Sequence, residues 1–302
     1  MGRMSPHLRG NREKTGRNMG EKSHSSHITS KDGTRLRVVD WSEGVQARAK
    51  LAFVHGWAEY TGRYDHVAAW FGAHGLACYG VDLRGHGHSD GVRGFINEYS
   101  EYVDDCEALV RWVMEQGDTD LPVFLVSHSQ GGLITTRFAE QRQLAGDLAG
   151  LVASAPMYGL AIEVPGWKAA MGDVMSRVWP SLALEAGVDP ETLSKDPERN
   201  RDYMEDPLIF RKATSRWFTE SKLAQEQSLA EAQRIAIPVL LLHSPDDRVN
   251  AYSASRAIYD RLGVDDKTFK VYKGLRHELF NEVEREEVFT DVLEWIEARL
   301  PG

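Results

Sequence analysis

Cysteine is scarce in this chain: only Cys78 and Cys106 occur among 302 residues. One sits in an apolar, strand-like run and the other in a helical pattern. Both read as buried thiols rather than a disulfide framework, which suits a reducing cytoplasm. Long apolar runs are missing too, and none approaches the ~18 residues that a membrane-spanning helix needs. There is no excess of positive charge: 36 Lys and Arg face 45 Asp and Glu, for a net charge of −9. That balance argues against a nucleic-acid partner. No internal repeat is present, and no low-complexity segment beyond the N-terminal stretch. What remains, 42% hydrophobic and 27% charged residues, is the composition of a globular protein with one large core or two small ones.

Residues 1–27 differ from the rest. They hold six Lys or Arg against two Glu and almost no apolar side chains, so they cannot bury a face and are expected to be disordered. They lack the apolar region of a signal peptide. Neither Met1-Gly2 nor Met19-Gly20 has Ser or Thr at the position that myristoylation requires. The expectation is a dispensable tail, or an upstream extension with translation starting at Met19. Its functional reading is a basic arm touching anionic lipid, so membrane contact is at most peripheral and the expected location cytoplasmic.

From Ile28 onward strand and helix signals alternate. "HITSKDGTRLRVVDW" reads as a hairpin turning at Asp32-Gly33. Strands are expected at Leu51–His55, Leu76–Val81, Val123–Val126, Leu151–Ser154, Val239–His243 and Thr268–Tyr272. Helices are expected at Tyr64–His74, Tyr99–Gln116, after Ser129, at Ser253–Leu262 and at Glu287–Leu300. This alternation implies a mostly parallel sheet covered by helices on both faces. The stretch from Pro156 to Pro238 interrupts it and is far longer than an ordinary connection. It is rich in Met and Trp and reads as a helical lid. Met157, Trp167, Met171, Met175 and Trp179 are candidates to line an apolar pocket, or else to form the lid's own small core.

The most informative stretch is "LPVFLVSHSQGGLITTRF", Leu121 to Phe138. An apolar strand runs into a sharp turn with Ser129 at its apex, and a helical pattern follows at once. This is the arrangement of a nucleophile elbow. Residues two before and two after the apex must be small, because strand and helix nearly touch there. Gly131 satisfies the second position; Ser127 stands where Gly is usual. A serine hydroxyl needs a base, and the base needs an orienting acid. Working groups of a doubly wound sheet cluster at the C-terminal ends of strands. That rule selects Asp246 and Asp247 after Val239–His243, and His277 after Thr268–Tyr272. The chain order Ser, Asp, His is that of an α/β-hydrolase triad.

The other histidines have duller readings. His128 is expected to point into the sheet side of the elbow. His243 ends its strand too early and precedes the acid. His66 and His74 lie on a surface-type helix. His86 and His88 alternate with glycines in a tight loop that lacks further ligands, so neither a metal nor another cofactor is expected. An oxyanion hole is expected from the backbone N–H of Gln130 and, after the Leu51–His55 strand, that of Trp57.

Several segments together resemble the monoacylglycerol lipase and lysophospholipase branch of the α/β-hydrolases. They are "FVHGWAEYTGRYDHVA", "YGVDLRGHGHSDGVRG", "VSHSQGGLI", "SAPMYGL", "DPLIF", "LLHSPDDRVN" and "YKGLRHELFNE". They run in family order from Ile28 to the C-terminus. The resemblance implies an α/β-hydrolase core over 28–155 and 239–302 with residues 156–238 as a helical cap. It implies Ser129 as nucleophile, Asp247 as acid, His277 as base, and Trp57 and Gln130 as oxyanion donors. Two departures are Ser127 for Gly and Trp57 where a small residue often sits; the second would narrow the site against bulky head groups. The expected activity is hydrolysis of lipid-like carboxylic esters, such as monoacylglycerols or lysophospholipids, through an acyl-enzyme. An aminopeptidase or an acyltransferase shares the same triad. A noncatalytic binding module would need a broken triad, and none of the three positions is broken.

Overall fold

The structure, a computed structural model, describes residues 23–161, 166–186 and 188–301, with the side chains of residues 167–171 outside that description. In chain order the elements are β1 (His24–Thr29), β2 (Arg35–Asp40), β3 (Ala49–Val54), α1 (Asp65–Ala73), β4 (Leu76–Val81), α2 (Ser100–Met114), β5 (Val123–His128), α3 (Gln130–Gln141) and β6 (Gly150–Ser154). Then come α4 (Gly166–Val178), β7 (Ala183–Glu185), α5 (Pro197–Glu205), β8 (Lys212–Thr214) and α6 (Ser215–Glu231). The chain finishes with β9 (Val239–His243), α7 (Tyr252–Arg261), β10 (Lys267–Val271) and α8 (Arg285–Glu297).

Eight strands form one sheet in the order β1-β2-β4-β3-β5-β6-β9-β10. β1 and β2 are antiparallel, β2 is antiparallel to β4, and every later pairing is parallel. The mostly parallel sheet expected from the alternation is therefore present. The hairpin begins earlier than expected, however. His24 to His27 pair with Asp40 to Arg37, so the boundary drawn at residue 27 falls inside β1. Polar side chains do not prevent pairing in an exposed edge strand, whose backbone supplies the bonds. Residues 1–22 of the expected tail lie outside the described residues.

The central strands are buried along their whole length, because helices cover both faces of a parallel sheet. Alternation along β3 divides the core. Ala52 and Val54 pack on the side of α2, α3 and α7, with Val103, Leu109, Leu133, Phe138 and Ile258. Leu51 and Phe53 pack on the side of α1 and α8, with Val67, Phe71, Phe289 and Ile296. Cys78 and Cys106 are free and buried, and burial pushes both thiols above their usual range. His66 departs from the surface reading: its Nε2–H donates to the Phe280 carbonyl at 3.0 Å and its ring packs against Phe289.

The insert between β6 and β9 contributes α4 to α6 and the small antiparallel pair β7–β8. On α6, Trp217 and Ala224 are buried in the α2–α3 side of the core. The candidate pocket residues scatter. Met157 is buried in that same core, and Met175 is half-buried. Trp179 is 59% exposed, a correction to its placement in a pocket. α4 ends at Val178, and Trp179 stands just past it, before the turn at Pro180, rather than on an inward helix face. The side chains of Trp167 and Met171 lie outside the described residues.

Candidate active site

The strand β5 delivers its chain into the turn at Ser129, and α3 starts one residue later. Ser129 has φ +51° and ψ −116°, a conformation that costs a non-glycine residue about 1–3 kcal/mol unless its surroundings hold it. They do. The Ser129 N–H donates to Ser154 O at 3.0 Å, and its carbonyl accepts from Met157 N and Gly132 N, each at 2.9 Å. A Cβ on Gly131 would stand 2.2 Å from the Val54 carbonyl oxygen, so only glycine fits there. Ser127 is accommodated differently: its hydroxyl donates to Val152 O at 3.1 Å and meets Thr135 Oγ1 at 2.9 Å. Its polar atom is thus paired inside the elbow, which offsets the cost of burying it.

Ser129 Oγ lies 3.0 Å from His277 Nε2, and His277 Nδ1 lies 2.8 Å from Asp247 Oδ2. All three residues are buried. Of the two neighbouring acids, Asp247 faces the imidazole, while the exposed Asp246 accepts from Gly274 N at 2.6 Å. Asp247 Oδ1 accepts the backbone N–H groups of Val249 and Asn250 at 2.8 and 3.0 Å. Burial alone would raise the Asp247 pKa, but His277 and the hydrogen bond from His243 hold it well below the ordinary carboxylate range. Burial would lower the His277 pKa, and the Asp247 carboxylate more than offsets it, so the imidazole is more basic than usual.

Around this line of groups the structure adds two residues that sequence reasoning set aside, His128 and His243, and one that it passed over, Asn250. His128, expected on the sheet side, has its ring 4.7 Å from that of His277. Burial and the neighbouring His277 bring its pKa down to about 4, so it is neutral at pH 7. His243, expected to fall short of the site, reaches Asp247 Oδ2 with Nε2 at 3.1 Å; the short turn after β9 folds the acid back over the strand end. Asn250 Nδ2 donates to Ala155 O at 2.8 Å and to Ser129 Oγ at 3.3 Å. The available signal was the segment "HSPDDRVN" itself, in which polar residues flank the acid at the end of a buried strand.

The loop after β3 presses against Ser129. A Cβ on Gly56 would stand 3.2 Å from Ser129 Cβ and 2.8 Å from Glu59 Oε1. Glu59 Oε1 also accepts the Gly56 N–H at 2.6 Å. Arg63 bonds Glu59 at 3.0 Å and clamps Glu278 through two bonds of 2.6 and 2.8 Å, joining this loop to the residue after His277. Next along, Trp57 packs its ring against two insert residues, Phe210 at 5.3 Å and Trp217 at 5.2 Å. The Trp217 indole N–H donates to Gln130 Oε1 at 2.8 Å. The insert also holds the loop that bears His277, where Glu278 N donates to Leu193 O at 2.7 Å.

The chain is 34% identical over 269 residues to a monoacylglycerol lipase of Mycolicibacterium smegmatis, covering 89% of this chain and 95% of that one. It is 29% identical to human monoglyceride lipase, covering 90% of each. It also matches an abhydrolase domain-containing protein of Dictyostelium discoideum at 31% identity, spanning 29% of that longer chain. Among solved structures, the monoacylglycerol lipase of Paleococcus ferrophilus superposes with a TM-score of 0.77 at 29% identity, covering 92% of this chain and 99% of its own. Residues 45–284 match the family described as serine aminopeptidase, S33. The chain therefore belongs to that family of α/β-hydrolases, in its monoacylglycerol lipase-like branch.

Proposed function

We propose that this protein hydrolyses carboxylic esters of lipid-like substrates, monoacylglycerols or lysophospholipids, through an acyl-enzyme on Ser129. The observation that carries the reading is the hydrogen-bonded line from Ser129 Oγ through both nitrogens of His277 to Asp247, at a serine whose strained backbone is held by its neighbours. His277 takes the Ser129 proton as Oγ attacks the ester carbonyl, and Asp247 stabilises the imidazolium that forms. The backbone N–H groups of Gln130 and Trp57 hold the tetrahedral oxyanion; losing one such donor costs about 3–4 kcal/mol of transition-state stabilisation. His277 then gives the proton to the departing alcohol, and water repeats the sequence on the acyl-enzyme.

The relatives support the substrate class. One is a monoacylglycerol lipase, and another, 29% identical over 242 residues, is a phospholipase of Bacillus subtilis. In this reading the insert is a cap over the acyl site, and Trp57, turned into the aromatic group of Phe210 and Trp217, narrows the alcohol side. No described helix is long and apolar enough to cross a membrane; contact with a lipid surface would be peripheral, in a protein working from the cytoplasm. Aminopeptidase chemistry, which the family description allows, is not favoured by these relatives.

The test is a panel of monoacylglycerols, lysophospholipids, short esters and an aminoacyl amide. Ester cleavage is expected, lost by about 10⁴-fold or more in Ser129→Ala. Cleavage of the amide with all esters untouched would contradict the proposal.

A further inference from the structure

His243 closes β9 with its side chain wholly buried, as is that of Asp247. Its Nε2 lies 3.1 Å from Asp247 Oδ2, the same oxygen that meets His277 Nδ1 at 2.8 Å. Its other nitrogen, Nδ1, is 2.7 Å from Ser255 Oγ on α7. An ionised carboxylate only accepts, so Nε2 of His243 carries the hydrogen, and in the neutral ring Nδ1 accepts from the Ser255 hydroxyl. Ser255, His243, Asp247, His277 and Ser129 thus form one continuous line of hydrogen bonds. The Ser–His–Asp scheme does not require the outer half of that line, yet two buried polar side chains are committed to it.

We infer that His243, its tautomer set by Asp247 and its free nitrogen held by Ser255, is a positioning residue that orients Asp247 and moderates the basicity of His277. The inference rests on the hydrolase reading above. Two effects act together. With Val249 and Asn250 bonded to Oδ1 and His243 to Oδ2, the carboxylate has no freedom to rotate away from His277. A second donor on Oδ2 also draws density from the oxygen that holds the His277 proton. The imidazolium is then stabilised less than an unshared carboxylate would stabilise it, and it releases its proton more readily to the departing alcohol. The other charged or titratable groups facing His277 are His128 from β5, Glu278 beside it, and Glu59 with Arg63 from the segment after β3. Facing His243 are Asp247 and, edge-on at 5.9 Å, the Tyr252 ring. None of these other groups is altered by the substitutions below.

The experiment reads the His277 titration by NMR of ¹⁵N-histidine-labelled protein, alongside the acid limb of kcat/KM for a soluble short ester. In His243→Ala the His277 midpoint rises by about half a unit to one unit, and the kinetic limb moves up with it. His243→Gln, whose amide N–H can reach the same oxygen, stays near the wild type. Ser255→Ala leaves the imidazole packed but removes the hydroxyl that donates to Nδ1 and so polarises the Nε2–H toward Asp247; it shifts the midpoint the same way and decides the matter if His243→Ala does not fold. An unmoved or lowered His277 midpoint in the folded variants overturns the inference. A wild type whose His277 titrates but which cleaves no ester overturns the hydrolase reading instead, and the NMR comparison still decides the contact.

Discussion

The indole N–H of Trp217, on α6 of the insert, donates to Oε1 of Gln130, the residue that follows Ser129, over 2.8 Å. Both side chains are buried. The bond ties the insert to the start of α3, and the same indole packs on Trp57. One insert residue therefore touches the side chains of both residues assigned to the oxyanion hole.

Trp217→Phe leaves the buried Gln130 carbonyl without a donor, at a cost of about 1–3 kcal/mol. Urea denaturation of Trp217→Phe, Gln130→Met and the double variant separates this bond from lost packing. A coupling of about 1 kcal/mol is expected between the two sites. Additive single effects would show that the bond contributes nothing to stability.

Asn250 is a second contact of the Ser129 hydroxyl. The Ala155 carbonyl can only accept, which assigns Nδ2 to that side of the amide, and the same nitrogen reaches Ser129 Oγ at 3.3 Å. In Asn250→Ala the hydroxyl loses the partner opposite His277. We expect kcat to fall about tenfold, the worth of one such hydrogen bond, with KM little changed. Asn250→Asp should be worse, since it sets an acceptor against the Ala155 carbonyl. Steady-state kinetics on a short ester checks both; an unaltered kcat in Asn250→Ala would rule out a part for this contact in the chemistry.

Stability should also fall on mild acidification, through histidines that are buried neutral. Burial, reinforced by Arg199, brings the pKa of His66 down to about 4, against an unfolded value of about 6.5. Between these values the unfolded chain binds a proton that the folded one does not. The stability from a neutral His66 is therefore complete above about pH 6.5 and is lost as pH falls toward about 4, a swing of about 3 kcal/mol. His66→Gln keeps a donor for the Phe280 carbonyl and cannot titrate. Its unfolding free energy should decline less steeply across that window. An identical decline in both proteins would refute the assignment.

Much of this was legible in the sequence because parallel strands announce themselves. A run such as Val239–Leu242, apolar throughout and bounded by Pro238 and His243, reads as a buried strand, and β9 occupies Val239–His243. Strand ends in turn located Ser129, His277 and the pair Asp246 and Asp247, of which the family resemblance picks Asp247; the fold brings Ser129, His277 and Asp247 within hydrogen-bonding reach. The contributions of His243, His128 and Asn250 were not legible. Each depends on which way a side chain turns at a strand end, and that is decided by packing across residues distant in the chain, as in the 121-residue separation of Asn250 from Ser129. The insert was legible in extent and poorly in detail. Its Trp and Met residues have no single periodicity to say which face they serve, so the sequence points to Trp179 for a pocket and gives no sign of Trp217, the one that meets Gln130.

The nucleophile itself is open to a direct measurement. A fluorophosphonate probe reacts with a serine only when a base and an oxyanion site activate it, and mass spectrometry of the digest locates the adduct. One adduct per chain is expected, on the peptide bearing Ser129, absent in Ser129→Ala and strongly slowed in His277→Ala. A folded wild-type protein that stays unlabelled, or takes the label on a different serine, would contradict the central claim.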